Sequence, residues 1–391
     1  MDHIGIEERR RRIARRHRLA RGALAVDPVD VAGDLVGLHA TDPAGVFLAL
    51  RARMADPSID RIEAALYEER SLLRMLGMRR TMFVEPLDLA AIVQAAATTA
   101  VADQQRALTC RLIAEAGVPG DPGAWLADVE ASTLRALGAR GEALANELSA
   151  DEPRLGLKLS LAAGKRYAAE VNIVTRVLLQ LAADGRIGRG RPRGSWISSQ
   201  YRWAPIEAWF PDGMPRWEVE AARAELVRRW LRTFGPGTAR DIRWWTGWAL
   251  RDVKRALAAI GSAEVRLDAG PAVVLGDDLD PTPDPGPWIA LLPALDPTVM
   301  GWSERGWYLG PHRPALFDTN GNAGPTVWSD GRVVGGWAQR RDGEIAVRLL
   351  GDVGREASAA IDEEAAALRD WIGPVCVTPR FRTPLERELA G

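Results

Sequence analysis

The sequence predicts an α+β protein made of consecutive units in which helices lead into a β-hairpin, followed by a small β-rich segment that closes with a helix. Helix-start signals recur along the first two-thirds of the chain, and each group of them is followed by a hairpin signal. Beyond about residue 281, short apolar runs instead alternate with Gly, Pro and Asn. At 391 residues the chain exceeds what a single core serves.

In order along the chain, Ile13, Leu19 and Ala20 among Arg9, Arg10, Arg11, Arg12, Arg15, Arg16, Arg18 and Arg21 predict an amphipathic helix with a charged outer face. Asp27-Pro28 is a cap with a first-turn proline, opening a helix through Val31 and Leu35. The stretch His39-Ala40-Thr41-Asp42-Pro43 breaks that helix and opens another through Val46 and Leu50. A third helix is predicted over 59–67, and a hairpin over 72–84 that turns at Gly77. Three helices and a hairpin are the order of a winged helix. The same order returns with helices over 87–116, 125–137, 141–148 and 168–183, the turn Asp184-Gly185, and a hairpin over 186–203. It returns again with a helix over 219–232, helices carrying Ile242, Trp244, Trp245 and Trp248, and strands around Val265 and Val273.

A Pro- and Asp-rich connection over 276–287 marks a boundary. After it, strands over 288–292, 302–309, 326–328, 332–337 and 345–349 predict a small barrel-like sheet, and a helix over 357–372 precedes a short polar tail. The expected units are 1–86, 87–215, 216–280 and 281–391.

Net charge is −1, so bulk charge does not announce a nucleic-acid protein, but its distribution is uneven. Arg186, Arg189, Arg191 and Arg193 crowd one hairpin without an acid among them, Arg202 lies on its return strand, and Arg79 and Arg80 sit on the first hairpin. This density suits phosphate contacts, and Gln200 and Arg202 are placed to reach a groove. The two cysteines, Cys110 and Cys376, form no CxxC pair, which argues against a disulfide framework or a cysteine zinc site; the plain reading is two buried free thiols. The four histidines have no metal-ligand spacing, and no Gly-rich loop with a lysine suggests a nucleotide, so no metal and no cofactor are expected. The Arg-rich start, interrupted by Glu7 and Glu8, lacks a secretory apolar stretch, and no later segment is long enough to span a bilayer; a soluble cytoplasmic protein is expected.

Leu35-Val36-Gly37-Leu38-His39-Ala40-Thr41, Phe234-Gly235-Pro236-Gly237-Thr238 with Trp245 and Trp248, and Leu292-Pro293-Ala294-Leu295-Asp296-Pro297 leading to Gly335-Gly336-Trp337 resemble the winged-helix DNA glycosylases of the AlkZ/YcaQ type over nearly the whole chain. The resemblance implies a monomer of tandem winged helices with a β-barrel domain, acting on double-stranded DNA at the nucleoid. It also implies excision of alkylated purines, including bulky N7-guanine or N3-adenine adducts and crosslinks, by water attack at the sugar C1′.

The family's Gln-x-Gln or Gln-x-Asp motif falls on His39-Ala40-Thr41, with Asp42 one residue beyond. Cleaving an N-glycosidic bond to a cationic base needs a positioned water and stabilisation of an oxocarbenium-like sugar, which a carboxylate beside an imidazole supplies. On that reading His39 holds the water, Asp42 stabilises the sugar and Thr41 assists. The competing reading makes Asp42 a helix cap like Asp27, His39 a helix-end histidine and Thr41 a turn hydroxyl, and the chain a DNA-binding regulator without catalysis. Trp244, Trp245 and Trp248 at helical spacing read as packing, and Asp296 as a turn.

Overall fold

In a computed structural model, which describes residues 2–161 and 169–391, the chain is a mixed α+β fold of many short helices and small sheets. The local signals explain most of the helix starts. Asp27 accepts from Val29 N at 2.8 Å to begin Pro28–Asp34, and Asp42 accepts from Ala44 N at 3.2 Å to begin Pro43–Arg51. Each caps orphan amides that the first helical turn leaves unpaired. Ser58 starts a helix that runs through Ile59–Glu63 and a π-type turn, Ala64–Glu68. Strands Leu72–Leu76 and Met82–Pro86 then pair antiparallel, with Leu76 opposite Met82. The turn is Met78–Arg80, where Arg79 and Arg80 both adopt positive φ.

Leu38, expected within the helix, and His39, expected to break it, form a third strand of this sheet, pairing Leu38 with Val84 and His39 with Phe83. The polar face of Met82–Pro86 is unusual. Glu85 is fully buried, and neither carboxylate oxygen has a hydrogen-bond partner. A Cβ added at Gly37 would lie 3.1 Å from Glu85 Cγ and 3.3 Å from Oε1, so the positive-φ glycine is what makes room for this carboxyl. Burial pushes its pKa well above the ordinary 4.5, and the group stays protonated in the fold. The unfolded chain therefore sheds this proton as pH rises past about 4.5 while the folded chain keeps it, and stability falls up to the folded pKa. Glu85→Gln is expected to raise the urea midpoint at pH 8 more than at pH 5, at up to about 1.4 kcal/mol per pH unit crossed. An equal shift at both pH values would show the carboxyl ionised in the fold.

The next helical region runs unbroken through Leu87–Val93, Gln94–Thr98 and Thr99–Glu115, followed by Pro122–Arg140 and Ala145–Asp151. The helix expected over 168–183 is Val174–Ala183; its expected first residue lies outside the described residues, and Ala169–Asn172 is a strand paired with Lys158–Leu161. The basic hairpin pairs Ile187–Pro192 with Tyr201–Pro205. A third group, Val219–Phe234, Ala239–Thr246 and Leu250–Ala259, leads into strands Ser262–Leu267 and Gly270–Leu275. Asp2–His3 adds a parallel strand to that pair, beside Val265 and Arg266, a long-range contact that no local signal announces.

The C-terminal region differs most from expectation. Ile289–Leu292, Thr326–Ser329, Arg332–Gln339 and Ile345–Leu349 form one open antiparallel sheet in chain order, not a closed barrel. The expected strand over 302–309 is absent: 302–305 are irregular and Gly306–Leu309 is a short helix, with Trp302 and Tyr308 drawn into an aromatic cluster. The expected polar tail ends in a helix, Pro384–Ala390, that buries Leu385 and Leu389. Arg355–Ile372 packs on the Ile289–Leu292 strand.

The main apolar core is shared across the expected boundaries: Ile13, Met75, Trp230, Trp245, Trp302 and Leu389 belong to one cluster. Phe234 stands at its centre, with ring centroids 5.0 Å from His17, 5.6 Å from Trp230 and 5.3 Å from Trp302, and its carbonyl accepts from Trp302 Nε1 at 3.0 Å. Another cluster, with Ile113, Leu137, Val177 and Trp203, packs within the 112–203 region, while Trp196 joins a different one with Phe47.

Candidate functional site

Strand pairing with Phe83 and the Asp42 cap fix the His39-Ala40-Thr41 segment at both ends. His39 is half-buried, its ring 5.8 Å from that of Phe83, and faces a cavity of about 280 Å³. Arg79 and Trp244 line this cavity, and so do Arg305, Arg313 and the amides of Asn320 and Asn322 from the C-terminal region. No carboxylate lines it among the described residues. Burial first, and the Arg79 charge second, push the His39 pKa down to about 3, so the imidazole is neutral at physiological pH. A neutral imidazole offers one lone pair and one N–H, which suits it to hold a water. Its low basicity makes it a poor proton acceptor, in contrast to the near-neutral base expected from the sequence. Thr41 is half-buried, and among the described residues its hydroxyl makes no hydrogen bond.

Asp42 does not share the His39 cavity. It lines a separate apolar crevice with Trp337, Val377 and Pro379. One carboxylate oxygen takes the Ala44 amide, and the other accepts from the Arg380 backbone N at 3.2 Å. Burial nonetheless pushes its pKa up, against the pull of those two amides. Its contacts are those of a cap that also fastens the C-terminal tail beneath the turn. His39 is not at a helix end, which removes the helix-terminal reading of that residue.

On the Ala40 side of the turn lies a second cationic cluster. Arg74 Nη1 donates to Ala40 O at 2.8 Å while its Nε and Nη2 have no partner, and its guanidinium lies 4.6 Å over the Tyr201 ring. Tyr201, Arg189, Arg193 and Gln200 line a cavity of about 450 Å³ there. Arg189 lies 4.7 Å over Trp203 and donates to Met82 Sδ at 3.2 Å; burial lowers its pKa to about 10, still charged at neutral pH.

The other expected DNA contacts separate into two groups. Arg80, Arg186, Arg193 and Gln200 are exposed. Arg191 is instead tied to Glu63 and to Glu68 at 3.0 Å, and Arg202 lies 3.5 Å from Glu147. The Arg-Gly-Arg-Pro-Arg-Gly run is not a free tip either, because Trp196 just beyond it is buried between Phe47 and Trp371. The first helix likewise does not present a basic face throughout: Arg12 and Arg16 are ion-paired to Asp278, and Arg9 is buried over Trp307. The acid for Arg12 and Arg16 comes from the 276–287 connection. Of the cysteines expected to be buried, Cys110 is half-buried and Cys376 is exposed, and both are free.

The family profile described as "DNA glycosylase AlkZ-like" matches residues 32–371, which span the turn, both hairpins and the C-terminal sheet. The chain belongs to the AlkZ-like DNA glycosylase family. Among solved structures it is similar to the Streptomyces sahachiroi DNA glycosylase AlkZ, with a TM-score of 0.69 and 23% identity over 94% of this chain and 96% of that one. Comparison with curated protein sequences finds no match. For this DNA glycosylase, the candidate site around His39 includes residues the sequence did not single out. Arg305, Arg313, Asn320 and Asn322 lie more than 250 positions from His39 and meet it only through the fold, and Trp244, read as packing, is the ring on which Arg79 and Arg305 stack at 4.2 and 4.5 Å. Among the described residues, no helix is long and apolar enough to cross a membrane.

Proposed function

We propose that the protein is a monofunctional DNA glycosylase that removes alkylated purines, such as N7-guanine or N3-adenine adducts, from double-stranded DNA by water attack at the sugar C1′. The observation that carries the reading is the His39-Ala40-Thr41 turn, fixed at both ends in a member of this family and opening between two arginine-rich cavities. As monomeric winged-helix units acting at the nucleoid, the helices and hairpins would hold the duplex through Arg79, Arg80, Arg186, Arg189, Arg193 and Gln200. Arg191 and Arg202 instead brace the second hairpin through their acids.

The chemistry asked of the site is modest. An N7-alkylguanine is already cationic, so the electrons of the breaking C1′–N bond neutralise the leaving base and no acid is required. His39 orients the water, Thr41 has a free hydroxyl to share that task, and Asp42 acts as a positioning residue by holding the turn. The water's proton leaves to bulk solvent after attack.

Single-turnover release of modified base from a duplex carrying one N7-methylguanine tests this. Release above the spontaneous rate, lowered in His39→Ala, is expected. Tight, salt-sensitive DNA binding with no release from N7-guanine or N3-adenine lesions would instead make the chain a DNA-binding protein without catalysis. In a salt titration of duplex binding, Arg186→Ala should weaken the affinity and lower the salt slope by about one. Arg191→Ala should leave that slope unchanged, since Glu63 and Glu68 already occupy its charge.

A further inference from the structure

We propose that the cavity beside His39 is a phosphate seat, in which Arg79, Arg305 and Arg313 receive one phosphodiester group of the DNA strand next to the target nucleotide. The inference rests on the glycosylase reading only for the identity of the polymer. Three arginines line about 280 Å³ together with Asn320 and Asn322, and among the described residues no carboxylate lines the space. Arg12 and Arg53, also buried, are instead matched to acids, Arg12 to Asp278 and Arg53 to Asp296.

Arg305 is only 8% exposed, and its Nε has no hydrogen-bond partner. Arg79 and Arg305 lie over the same indole, Trp244, so two like charges are held against one ring in partly dry surroundings. The acids nearest in the chain are engaged elsewhere. Asp318 accepts from the amides of Asn320 and Asn322, and Asp241 from Thr238, Ser303 and Glu304. Such an arrangement costs free energy until an anion enters, and guanidinium forks match a phosphate's oxygens.

The seat also completes the chemistry. An oxocarbenium-like sugar forming beside His39 would face three cations and no acid, a field that opposes it. A phosphodiester seated there offsets part of that field, so the substrate supplies negative charge that the chain does not place at this point.

Duplexes carrying an abasic-site analogue, each with one neutral methylphosphonate at a successive linkage around it, test the seat by binding alone, without any need for excision. Wild-type affinity should drop about tenfold at one linkage. Arg313→Gln, at an exposed position where folding is not at stake, should bind the all-phosphate duplex correspondingly less well and show no further loss at that linkage. Arg313→Lys should restore part of the coupling. Losses from Arg313→Gln and from the methylphosphonates that simply add at every linkage would overturn the proposal. So would millimolar inorganic phosphate bound in this cavity alongside unchanged DNA affinity in Arg313→Gln, which would make it a site for a free anion. Failure of excision with coupling intact would leave the seat standing and remove only the catalytic reading.

Discussion

Asp296→Ala is expected to destabilise the fold by about 3–5 kcal/mol, the cost of leaving a buried cation without its partner. Arg53 and Asp296 have fully buried side chains. All five guanidinium donors of Arg53 are used: Nε on His17 O at 3.0 Å, Nη1 on Ala49 O and Asp296 Oδ2 at 2.8 and 2.9 Å, and Nη2 on Asp296 Oδ1 and Thr298 Oγ1 at 2.6 and 2.9 Å. Asp296 also caps Pro297–Met300 through the Thr298 amide at 2.9 Å. His17, its pKa held well below the ordinary value by burial and by Arg53, is neutral and hydrogen-bonds Thr298 Oγ1. One carboxylate thus ties the first helix, Pro43–Arg51 and the C-terminal region together. The fall in urea midpoint and the m-value measure the loss, and a change below about 1 kcal/mol would show that water or a neighbour replaces the carboxylate. Replacing both partners with apolar residues, as in Arg53→Met with Asp296→Leu, should recover much of the stability, because the cost arises from the unpaired charge rather than from the absent bridge.

The same residue shows what was legible in the sequence and what was not. Asp27-Pro28, Asp42-Pro43 and Asp296-Pro297 are one local signal, and all three begin helices. Capping involves only the next few amides, so it can be read from neighbours in sequence. Asp296 was read as a turn because its second role depends on Arg53, 243 positions away. The hairpins at 72–86 and 187–205 were readable for the same reason, through their turn residues and apolar runs. By contrast, Trp302 and Tyr308 look like strand residues locally, but Trp302 is irregular and Tyr308 helical where the Phe234 cluster claims them. The open C-terminal sheet could not be told from a barrel, since closure depends on whether the first and last strands meet.

At the site, the turn itself was visible in the sequence but its electrostatics were not. His39 and Asp42 are three positions apart, and proximity in sequence suggested a working pair. Strand pairing turns His39 toward Arg79, while the cap turns Asp42 toward the C-terminal tail. Three residues are enough to point side chains to opposite sides of an extended segment that enters a helix. The arginines that set the His39 environment arrive from Met78–Arg80 and from residues beyond 300, and neither carries a local mark of contact with the turn.

His39→Ala is expected to lower single-turnover excision about a hundredfold, a typical magnitude for loss of a group that manages the attacking water. The pH dependence is the sharper test. An unperturbed histidine would give a limb near pH 6.5. With its pKa held at about 3, His39 is neutral across pH 5 to 8 on the folded protein, and the excision rate should show no limb from this residue in that range. The sign follows for stability as well. Between about pH 6.5 and 3 the unfolded chain takes up a proton at His39 that the folded chain refuses, so this residue costs stability progressively on acidification and nothing above that window. His39→Gln keeps a hydrogen-bonding side chain that does not titrate; it should retain more excision than His39→Ala and lose less stability than wild type between pH 6.5 and 5. A wild-type limb near pH 6.5 that vanishes in His39→Gln would mean that the imidazole is charged at the site, and that the water is held by some other group.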